Sequence, residues 1–290
     1  MILTEIEQSI KRKIEAVGTP LKDWDIQINY GIKTGFNDAF IISTEKRNEI
    51  LTNCKSEEER RRTEELIRPI LRGRDIKRYG YDWAGLWLIA TFPSRHYDIE
   101  DYPAVKEHLL SFGMHRLEQT GKSYNIDGTT IKARKKTNNK WFETQDSISY
   151  WDYLCQPKII WGEISDRSKF TIDYNGVFVP EATTFMLSGN QLLVLLSFLN
   201  CSVSEYLFSK IGTTTGVGTV RWKKFKIEEL LIPNSLPTPK VDYIRNICEQ
   251  IVKFKESAKD TYDLENELNN YIYDIYRLDD EEIAFIESYL

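Results

Sequence analysis

The sequence holds few of the residues that build disulfide frameworks or metal sites. Its 290 residues include four cysteines and three histidines. The cysteines form no CxxC pair, and no histidine has a partner at the spacing of metal ligands or of a catalytic triad. We therefore expect free, buried thiols, and we favour surface or core roles for the histidines over catalysis. No disulfide framework and no metal site are predicted.

Long hydrophobic runs are also lacking. No apolar stretch approaches the length of a membrane span, and residues 1–15 alternate acidic, basic and apolar side chains, unlike a signal peptide. With 41% hydrophobic and 29% charged residues, the chain can bury one large core or two modest ones. These features predict a globular protein of the cytoplasm with no membrane partner.

The net charge of -5 is distributed unevenly along the chain. Residues 241–290 hold five cations and thirteen acids, a balance of -8, which leaves +3 for the first 240 residues. Two windows are more basic still: residues 116–140 hold seven cations and two acids, and residues 210–226 hold five cations and no acid. An acidic tail beside basic loops is typical of a protein whose anion-binding face is local.

Hydrophobic periodicity and breaking residues predict a mixture of helices and strands. A break at residues 18–20 separates an N-terminal helix, and three prolines in residues 233–239 separate a C-terminal helical region. We therefore divide the chain into residues 1–20, 21–233 and 240–290. The expected helices are 3–17, 55–70, 102–112, 191–211 and a helix or helical hairpin over 241–273, and the expected strands are 39–43, 87–92 and 158–161.

Two stretches carry candidate contacts to an anionic ligand. Residues 31–42 begin with a glycine-bracketed polar turn, GIKTGFND, that runs into a hydrophobic segment. Residues 68–79, RPILRGRDIKRY, place five cations in twelve residues around one glycine, which suits phosphate contacts. Taken alone, the first could also be a plain strand-entry loop, and the second could form ion pairs with Asp75 and nearby glutamates.

Two further loops are basic or rich in hydroxyl groups. Residues 132–140, KARKKTNNK, could simply confer solubility, but their density of cations favours phosphate contact. Residues 212–223, GTTTGVGTVRWK, supply hydroxyls, backbone amides and a cation that can reach a guanine edge. We expect Trp151 and Trp161 to be core anchors, whereas Trp141, at the edge of the first loop, is also a candidate for stacking.

These stretches follow one another in an order that resembles a known family. They are joined by YPAVKEHL at 102–109, PKIIWGEIS at 157–165, LLSFLNCSVSEYLF at 195–208 and KKFKIEELLIP at 223–233. Over about residues 28–233 the chain is similar to the TaqI-like C-terminal specificity domain, or target recognition domain, of type IIG restriction-modification enzymes and adenine-specific N6 DNA methyltransferases. The resemblance implies an α/β (α+β) fold, with a mixed, mostly antiparallel sheet and flanking helices, followed by a C-terminal helical region.

The resemblance also implies that catalysis belongs to another domain. The parent enzymes transfer a methyl group from S-adenosylmethionine to adenine N6, often beside an endonuclease that would use Mg, while the specificity domain selects the sequence. This sequence has neither the glycine-rich cofactor loop nor the Asn/Asp-Pro-Pro-aromatic motif. We therefore expect no cofactor and no catalytic residue in this chain. The expected partner is a methyltransferase catalytic domain, in cis or as a separate subunit, and the N-terminal helix would link or dock it.

The resulting prediction is a catalytically inert domain that recognises a specific sequence in double-stranded DNA. The alternative is a protein-interaction or assembly module of a restriction-modification or phage-defence complex that does not bind DNA on its own. The predicted DNA-binding residues are Lys33, Thr34, Asn37, Arg72, Arg74, Lys77, Arg78, Lys132, Arg134, Lys135, Lys136, Lys140, Thr213, Thr214, Thr215, Arg221, Lys223 and Lys224.

Overall fold

The computed structural model describes residues 3–214 and 219–289. The helices in these ranges are α1 (Glu5–Val17), α2 (Asn37–Phe40), α3 (Thr44–Thr52), α4 (Glu57–Leu66), α5 (Pro103–Leu110), α6 (Met114–Leu117), α7 (Trp151–Leu154), α8 (Leu192–Asn200), α9 (Ser202–Ile211), α10 (Lys224–Ile227), α11 (Thr238–Glu256), α12 (Tyr262–Tyr276) and α13 (Asp280–Glu287). The strands are β1 (Thr19–Pro20), β2 (Ile26–Tyr30), β3 (Ile41–Ser43), β4 (Ile67–Leu71), β5 (Ile76–Lys77), β6 (Gly80–Tyr81), β7 (Leu86–Ile89), β8 (Ser123–Ile126), β9 (Thr129–Lys132), β10 (Lys158–Gly162), β11 (Ile164–Ser165), β12 (Phe170–Asp173), β13 (Val179–Pro180), β14 (Thr184–Gly189), β15 (Thr213–Thr214), β16 (Val220–Arg221) and β17 (Leu231–Ile232).

Local sequence signals account for the starts of several helices. Before α1, the Thr4 side chain accepts a hydrogen bond from the Glu7 N–H while the Glu7 carboxylate accepts one from the Thr4 N–H, a capping box. Helix α5 begins at Pro103, where a backbone N–H would have no partner within the helix. Both predicted helices, at 3–17 and 102–112, are therefore confirmed apart from their end residues.

Two four-stranded sheets form the centre of the fold. One has the order β12-β10-β14-β2 and is antiparallel throughout. The other has the order β13-β4-β7-β3, in which the β13–β4 pair is parallel and the other pairs are antiparallel. The smaller sheets are β1-β17, β11-β16-β15, β5-β6 and β8-β9. The predicted fold class, a mixed and mostly antiparallel sheet with flanking helices and a C-terminal helical region, is confirmed.

The sheet β12-β10-β14-β2 separates two hydrophobic clusters. Along β10, Ile159 and Trp161 belong to one cluster and Ile160 to the other, because successive side chains of a strand point to opposite faces. The first cluster includes residues of α1, α8, α9 and the C-terminal helices, and the second includes residues of β4, β7 and helices α2 to α5. All of β10 is buried, as a short continuous apolar run predicts.

The structure corrects the bounds of three expected elements. The apolar stretch at 191–211 is two helices, α8 and α9, joined at Cys201 with a bend of 65°. The strand expected at 39–43 begins only at Ile41, after the short helix α2. The helix expected over 55–70 ends at Leu66, and the β-branched residues Ile67 and Ile70 lie in β4. Periodicity over a short apolar run does not distinguish a helix from a strand, so packing decides these bounds.

No single helix in residues 3–214 and 219–289 has the length and apolar composition needed to cross a membrane. Helices α8 and α9 satisfy that criterion only when they are taken together as a bent pair.

Ion pairs join the strand region to the helices that pack on it. Arg78, which follows β5, donates from Nε to Glu265 on α12 at 2.6 Å and from Nη1 to Ser168 at 3.1 Å. Its Nη1 also lies 4.0 Å from a carboxylate oxygen of Glu205 on α9. Since only 16% of the Arg78 side chain is exposed, this predicted DNA contact instead links three elements of the protein.

Candidate nucleic-acid interface

Three neighbouring concavities lie between the loops, and each shares lining residues with the next. The largest, of about 880 Å³, shares Lys33, Gln145 and Ala182 with the second. The second shares Asn37 and Glu181 with the third. We term the whole the loop groove. The predicted residues that line it are Lys33, Thr34, Asn37, Arg72, Arg74, Lys223 and Lys224. Stretches that lie far apart in the sequence thus meet at one surface.

Two glycines give the turn at residues 31–38 its path. A Cβ atom on Gly31 would lie 1.9 Å from Glu181 O, so this close approach of two backbones requires glycine. The Gly31 N–H donates to Thr184 O at 2.8 Å. Gly35 has a φ of 79°, in the left-handed region that glycine adopts without strain. The glycine-bracketed pattern therefore places Lys33 on an exposed, fixed turn.

Thr34 and Asn37 differ in what they offer a ligand. Thr34 Oγ1 donates to Asn37 Oδ1 at 2.6 Å and accepts from the Phe36 N–H at 3.0 Å. Thr34 is 1% exposed, so its hydroxyl stabilises the turn and does not face the groove. Asn37 is exposed, and within the described residues its Nδ2 has no hydrogen-bond acceptor. The structure thus leaves Asn37 available for a base edge or a phosphate and assigns Thr34 a structural role.

Residues 145 and 146 form a wall of the groove that sequence reasoning missed. The Gln145 N–H donates to Thr34 O and the Asp146 N–H donates to Lys33 O, both at 3.1 Å. In return, the Lys33 N–H donates to Asp146 Oδ2 at 2.9 Å. Neither the Lys33 ammonium nor the Gln145 side-chain amide bonds another group in the described part of the chain. Both are free to bind a ligand in the groove.

The loop at 72–74 presents one paired and one unpaired cation. Arg72 donates from Nη2 to Asp75 Oδ1 at 2.7 Å and from Nε to Oδ2 at 3.0 Å, and these hydrogen bonds raise the pKa of Arg72. Burial acts to raise the pKa of Asp75, but the hydrogen bonds from Arg72 outweigh it and the pKa is lowered. Arg74 is exposed and forms no ion pair with the residues that the structure describes. Arg74 is therefore the available cation of this loop.

The basic stretch before β17 also holds both paired and unpaired cations. Arg221 Nη1 lies 3.0 Å from Glu163 Oε1. Lys224 Nζ donates to Ile28 O at 2.9 Å, which ties α10 to the edge strand β2. Lys223, which lines the groove and is half-buried, has no ion-pair partner in residues 3–214 and 219–289. Lys33, Arg74 and Lys223, one from each stretch, are thus the unpaired cations among the predicted residues that line the groove.

Arg134 departs most from its predicted role. It is 2% exposed. Its guanidinium donates to four backbone carbonyls, those of Thr34, Leu117, Trp141 and Glu143, at 2.6 to 2.9 Å. Burial lowers the pKa of Arg134 to about 10, so the side chain stays charged at neutral pH. A guanidinium enclosed in this way cannot reach DNA, and Arg134 instead joins the turn at 33–37 to the loop at 141–143.

The other predicted residues have no shown part in the lining of the loop groove. Lys77 lies 3.5 Å from Asp82. Thr213 and Thr214 form β15, which pairs with β16, and Thr215 lies outside the described residues. The four lysines of the stretch 132–140 are exposed: Lys132, Lys135, Lys136 and Lys140. Lys136 and Lys140 are next in sequence to the groove-lining residues Thr137 and Asn139. Phosphate contacts from these positions stay predictions.

Two aromatic side chains at the groove were also missed. Tyr30 and Phe225 line the largest concavity and are 61% and 52% exposed. The sequence holds one indication that Phe225 is exposed, which is its position between lysines in the stretch KKFK. Such a phenylalanine reads as a core residue when hydrophobicity alone is considered.

The cysteines and acidic residues offer no alternative centre in the described ranges. In residues 3–214 and 219–289, no group of three or more His, Cys, Asp or Glu side chains could hold a metal ion. The four cysteines are free. Cys201 and Cys248 are buried as expected, Cys54 is half-buried, and Cys155 is exposed, contrary to expectation.

His108 makes the support of the groove sensitive to acid. Its Nε2 lies 3.0 Å from Ala39 O in α2, the helix that carries Asn37. Burial lowers the pKa of His108 below 6.5, although the bond to Ala39 acts in the opposite direction. The unfolded chain therefore takes up this proton first, and the free energy of unfolding falls as the pH drops below 6.5 until the folded-state pKa is passed.

We expect the His108→Gln variant to lose this contribution. Urea unfolding between about pH 5 and pH 8 should show a weaker fall in stability on acidification than in the wild type. His96→Asn is the matched control, because His96 is exposed with a φ of 53° that asparagine tolerates. An unchanged slope in His108→Gln would show that this histidine is not responsible.

Comparison with known families adds an independent finding. The family model described as the TaqI-like C-terminal specificity domain matches residues 68–232. This span is narrower than the resemblance over 28–233, and it includes Arg74, Gln145 and Lys223 but not the turn at 31–38. No curated protein matches the chain.

Two solved structures share the fold at low sequence identity. The type IIL restriction-modification enzyme MmeI, solved in complex with DNA, is 12% identical with a TM-score of 0.58 over 93% of this chain and 36% of that one. The type IIG restriction endonuclease BpuSI is 12% identical with a TM-score of 0.53 over 95% of this chain and 33% of that one. This chain therefore corresponds to about a third of the length of each enzyme, and the likeness concerns the fold.

Proposed function

Since the chain belongs to the family of TaqI-like C-terminal specificity domains, we propose that it recognises a specific sequence in double-stranded DNA on behalf of a restriction-modification enzyme. The observation that carries this proposal is the loop groove, which is lined by unpaired cations from three distant stretches and by the side-chain amides of Asn37 and Gln145. Support also comes from the shared fold of MmeI, which was solved with DNA.

The groove offers the two kinds of contact that sequence recognition needs. Lys33 and Lys223 are suited to phosphates, which fix the register of a protein on the duplex without reading bases. Arg74 can bind a guanine edge through two hydrogen bonds, and the amides of Asn37 and Gln145 can do the same with adenine. Each such pair is worth roughly 1–3 kcal/mol of discrimination against the wrong base.

We further propose that the parent enzyme is an adenine N6 methyltransferase of the cytoplasm, with or without a fused endonuclease. This sequence lacks the glycine-rich loop and the Pro-Pro motif that would hold S-adenosylmethionine and the target adenine, so the residues present do not fit that cofactor. The catalytic domain would supply both, in cis or as a separate subunit. This chain would contribute the choice of site and part of the hold on the duplex.

The test is a selection of bound duplexes from a randomised DNA pool, with the 290-residue chain at two salt concentrations. We expect the wild type to enrich one short motif. A Lys33→Ala, Arg74→Ala, Lys223→Ala triple variant should not enrich it, because the variant lacks the unpaired cations of the groove. On the selected duplex, the slope of log K against log salt should decrease in magnitude by about 0.9 for each phosphate that the variant no longer neutralises.

The control removes the same charge elsewhere. Lys240, Lys253 and Lys259 are exposed on or after α11, and their triple alanine variant should keep both the motif and most of the affinity. Equal losses of affinity in the two variants would mean that net charge, and not the groove, governs binding. Binding to no duplex at either salt concentration would contradict autonomous recognition and favour a module that assembles with a protein partner.

A further inference from the structure

Large apolar side chains are exposed in the loop groove. A basic surface that served only for solubility would not require them. In residues 3–214 and 219–289, four large apolar side chains are more than half exposed: Tyr262 at 68%, Tyr30 at 61%, and Ile164 and Phe225 at 52% each. Three of these four line the groove. Singly exposed apolar residues are common, but their concentration beside unpaired cations marks a binding surface.

Tyr30 is held on a rigid support. It is the last residue of β2, and its carbonyl accepts a hydrogen bond from the Tyr150 hydroxyl. Burial raises the pKa of Tyr150, which keeps that hydroxyl protonated as a donor. The Tyr30 ring lies 5.1 Å from the ring of Phe185, which in turn stacks on the buried Trp161 at 5.4 Å. The exposed face of Tyr30 is therefore presented by a fixed row of aromatic rings.

Phe225 is anchored from both sides while its own ring faces solvent. The preceding Trp222 and the following Ile227 are buried at 3% and 0% exposure, so they fix the short helix α10 to the core. Lys224 holds the same helix to Ile28, two residues before Tyr30. Both exposed aromatic residues line the same concavity.

Phe225 lies between cations along the chain. Lys223 lies on its N-terminal side, and Lys226, which also pairs with Glu229 at 3.1 Å, has its Nζ 5.7 Å from the ring. Two carboxylates line the same concavity: Glu163 forms an ion pair with Arg221, and Asp146 accepts a hydrogen bond from the Lys33 N–H. An apolar ring between cations matches a base step, in which stacked bases lie between two phosphate chains.

We propose that Phe225, which lines the same concavity as Tyr30, enters the duplex at one base step and unstacks it. The inference rests on the proposed function and adds how the DNA is held: the bound form is a locally unstacked duplex. An apolar wedge of this kind unstacks a base step at a cost in binding free energy, and the added contacts with the bent DNA offset that cost. A duplex that is already weakened at that step avoids the unstacking cost and should bind more tightly.

The test scans one abasic site through the selected duplex and measures affinity at each position. For the wild type, we expect one step at which the abasic duplex binds about tenfold more tightly than the paired one. In Phe225→Ala this preference should disappear, whereas Phe225→Leu, which keeps an apolar wedge, should retain part of it. A 2-aminopurine placed at the same step should brighten on binding the wild type and stay quenched with Phe225→Ala.

The controls separate this inference from the proposed function. Tyr262→Ala removes a similarly exposed aromatic residue away from the groove and should behave as the wild type. Salt-dependent binding of the selected motif, with no favoured abasic position and no change in 2-aminopurine fluorescence, would overturn the wedge and leave sequence recognition intact. Absence of salt-dependent binding in the wild type would overturn the proposed function itself. Far-ultraviolet circular dichroism of each variant establishes that the comparison is between folded proteins.

Discussion

Replacement of Arg134 by methionine is expected to lower the free energy of unfolding by about 2–4 kcal/mol. The substitution would leave the buried backbone carbonyls of Leu117 and Trp141 without a donor, in a site where Arg134 is 2% exposed. The carbonyls of Thr34 and Glu143 would each lose one of two donors, because they keep the bonds from the Gln145 N–H and from Gln119 Nε2. Each buried acceptor left without a partner costs roughly 1–3 kcal/mol, and relaxation towards water recovers part of the total. Urea unfolding of the two proteins measures the difference directly.

Two further variants make this result specific to the buried guanidinium. Arg134→Lys keeps the charge but lacks the planar set of donors, so we expect an intermediate loss of stability. Lys135→Met makes a similar change at the neighbouring exposed position and should change stability by less than about 0.5 kcal/mol. If Arg134→Met were no less stable than Lys135→Met, the carbonyl contacts would contribute little and the turn at 33–37 would be held by its glycines and other hydrogen bonds.

The second large effect is expected at the buried ion pair between Lys158 and Asp173. Their charged atoms lie 2.7 Å apart, with the two side chains 0% and 3% exposed. Burial lowers the pKa of Lys158, while the attraction of Asp173 opposes that shift. Lys158→Met leaves the carboxylate buried without a cation and should destabilise the chain by about 3–5 kcal/mol. The Asp173 carboxylate still accepts hydrogen bonds from the Val177 and Phe178 N–H groups, and these offset only part of the destabilisation.

A second substitution, at Asp173, identifies the unpaired carboxylate as the cause. Adding Asp173→Asn, which removes the charge, should recover part of the stability at neutral pH. Lys169→Met, in the exposed pair with Asp166, should cost no more than about 1 kcal/mol. If adding Asp173→Asn recovers no stability, packing and not charge is responsible for the destabilisation of Lys158→Met.

The elements that the sequence predicted well are those with local signals. Helix α1 has its cap and first turn within a few residues of each other, and the proline of α5 stands at its first position. The buried strand β10 is a short apolar run that could be identified without knowing its neighbours. The break at Cys201 has no such signal, because apolar residues continue on both sides and the bend depends on what packs against α8 and α9.

The candidate site was predictable as a set of stretches but not residue by residue. Whether a cation is free depends on partners far along the chain: Arg78 pairs with Glu265, 187 residues away, and Arg134 bonds Thr34, 100 residues away. Residue spacing carries no information about such pairs. Gln145 and Tyr30 were missed for the related reason that single polar or aromatic residues gain meaning only when folding places them beside Lys33.

The position of the sheet β12-β10-β14-β2 between two hydrophobic clusters has a consequence for how such a domain could change over evolutionary time. The clusters and the buried hydrogen bonds of Arg134 fix the backbone, whereas Lys33, Arg74 and Lys223 project from loops outside both clusters. Substitution at these three positions alters the surface offered to a ligand without creating a cavity in either core. On the proposed function, descendants of this domain could acquire different DNA targets through a handful of loop substitutions while inheriting an unchanged framework.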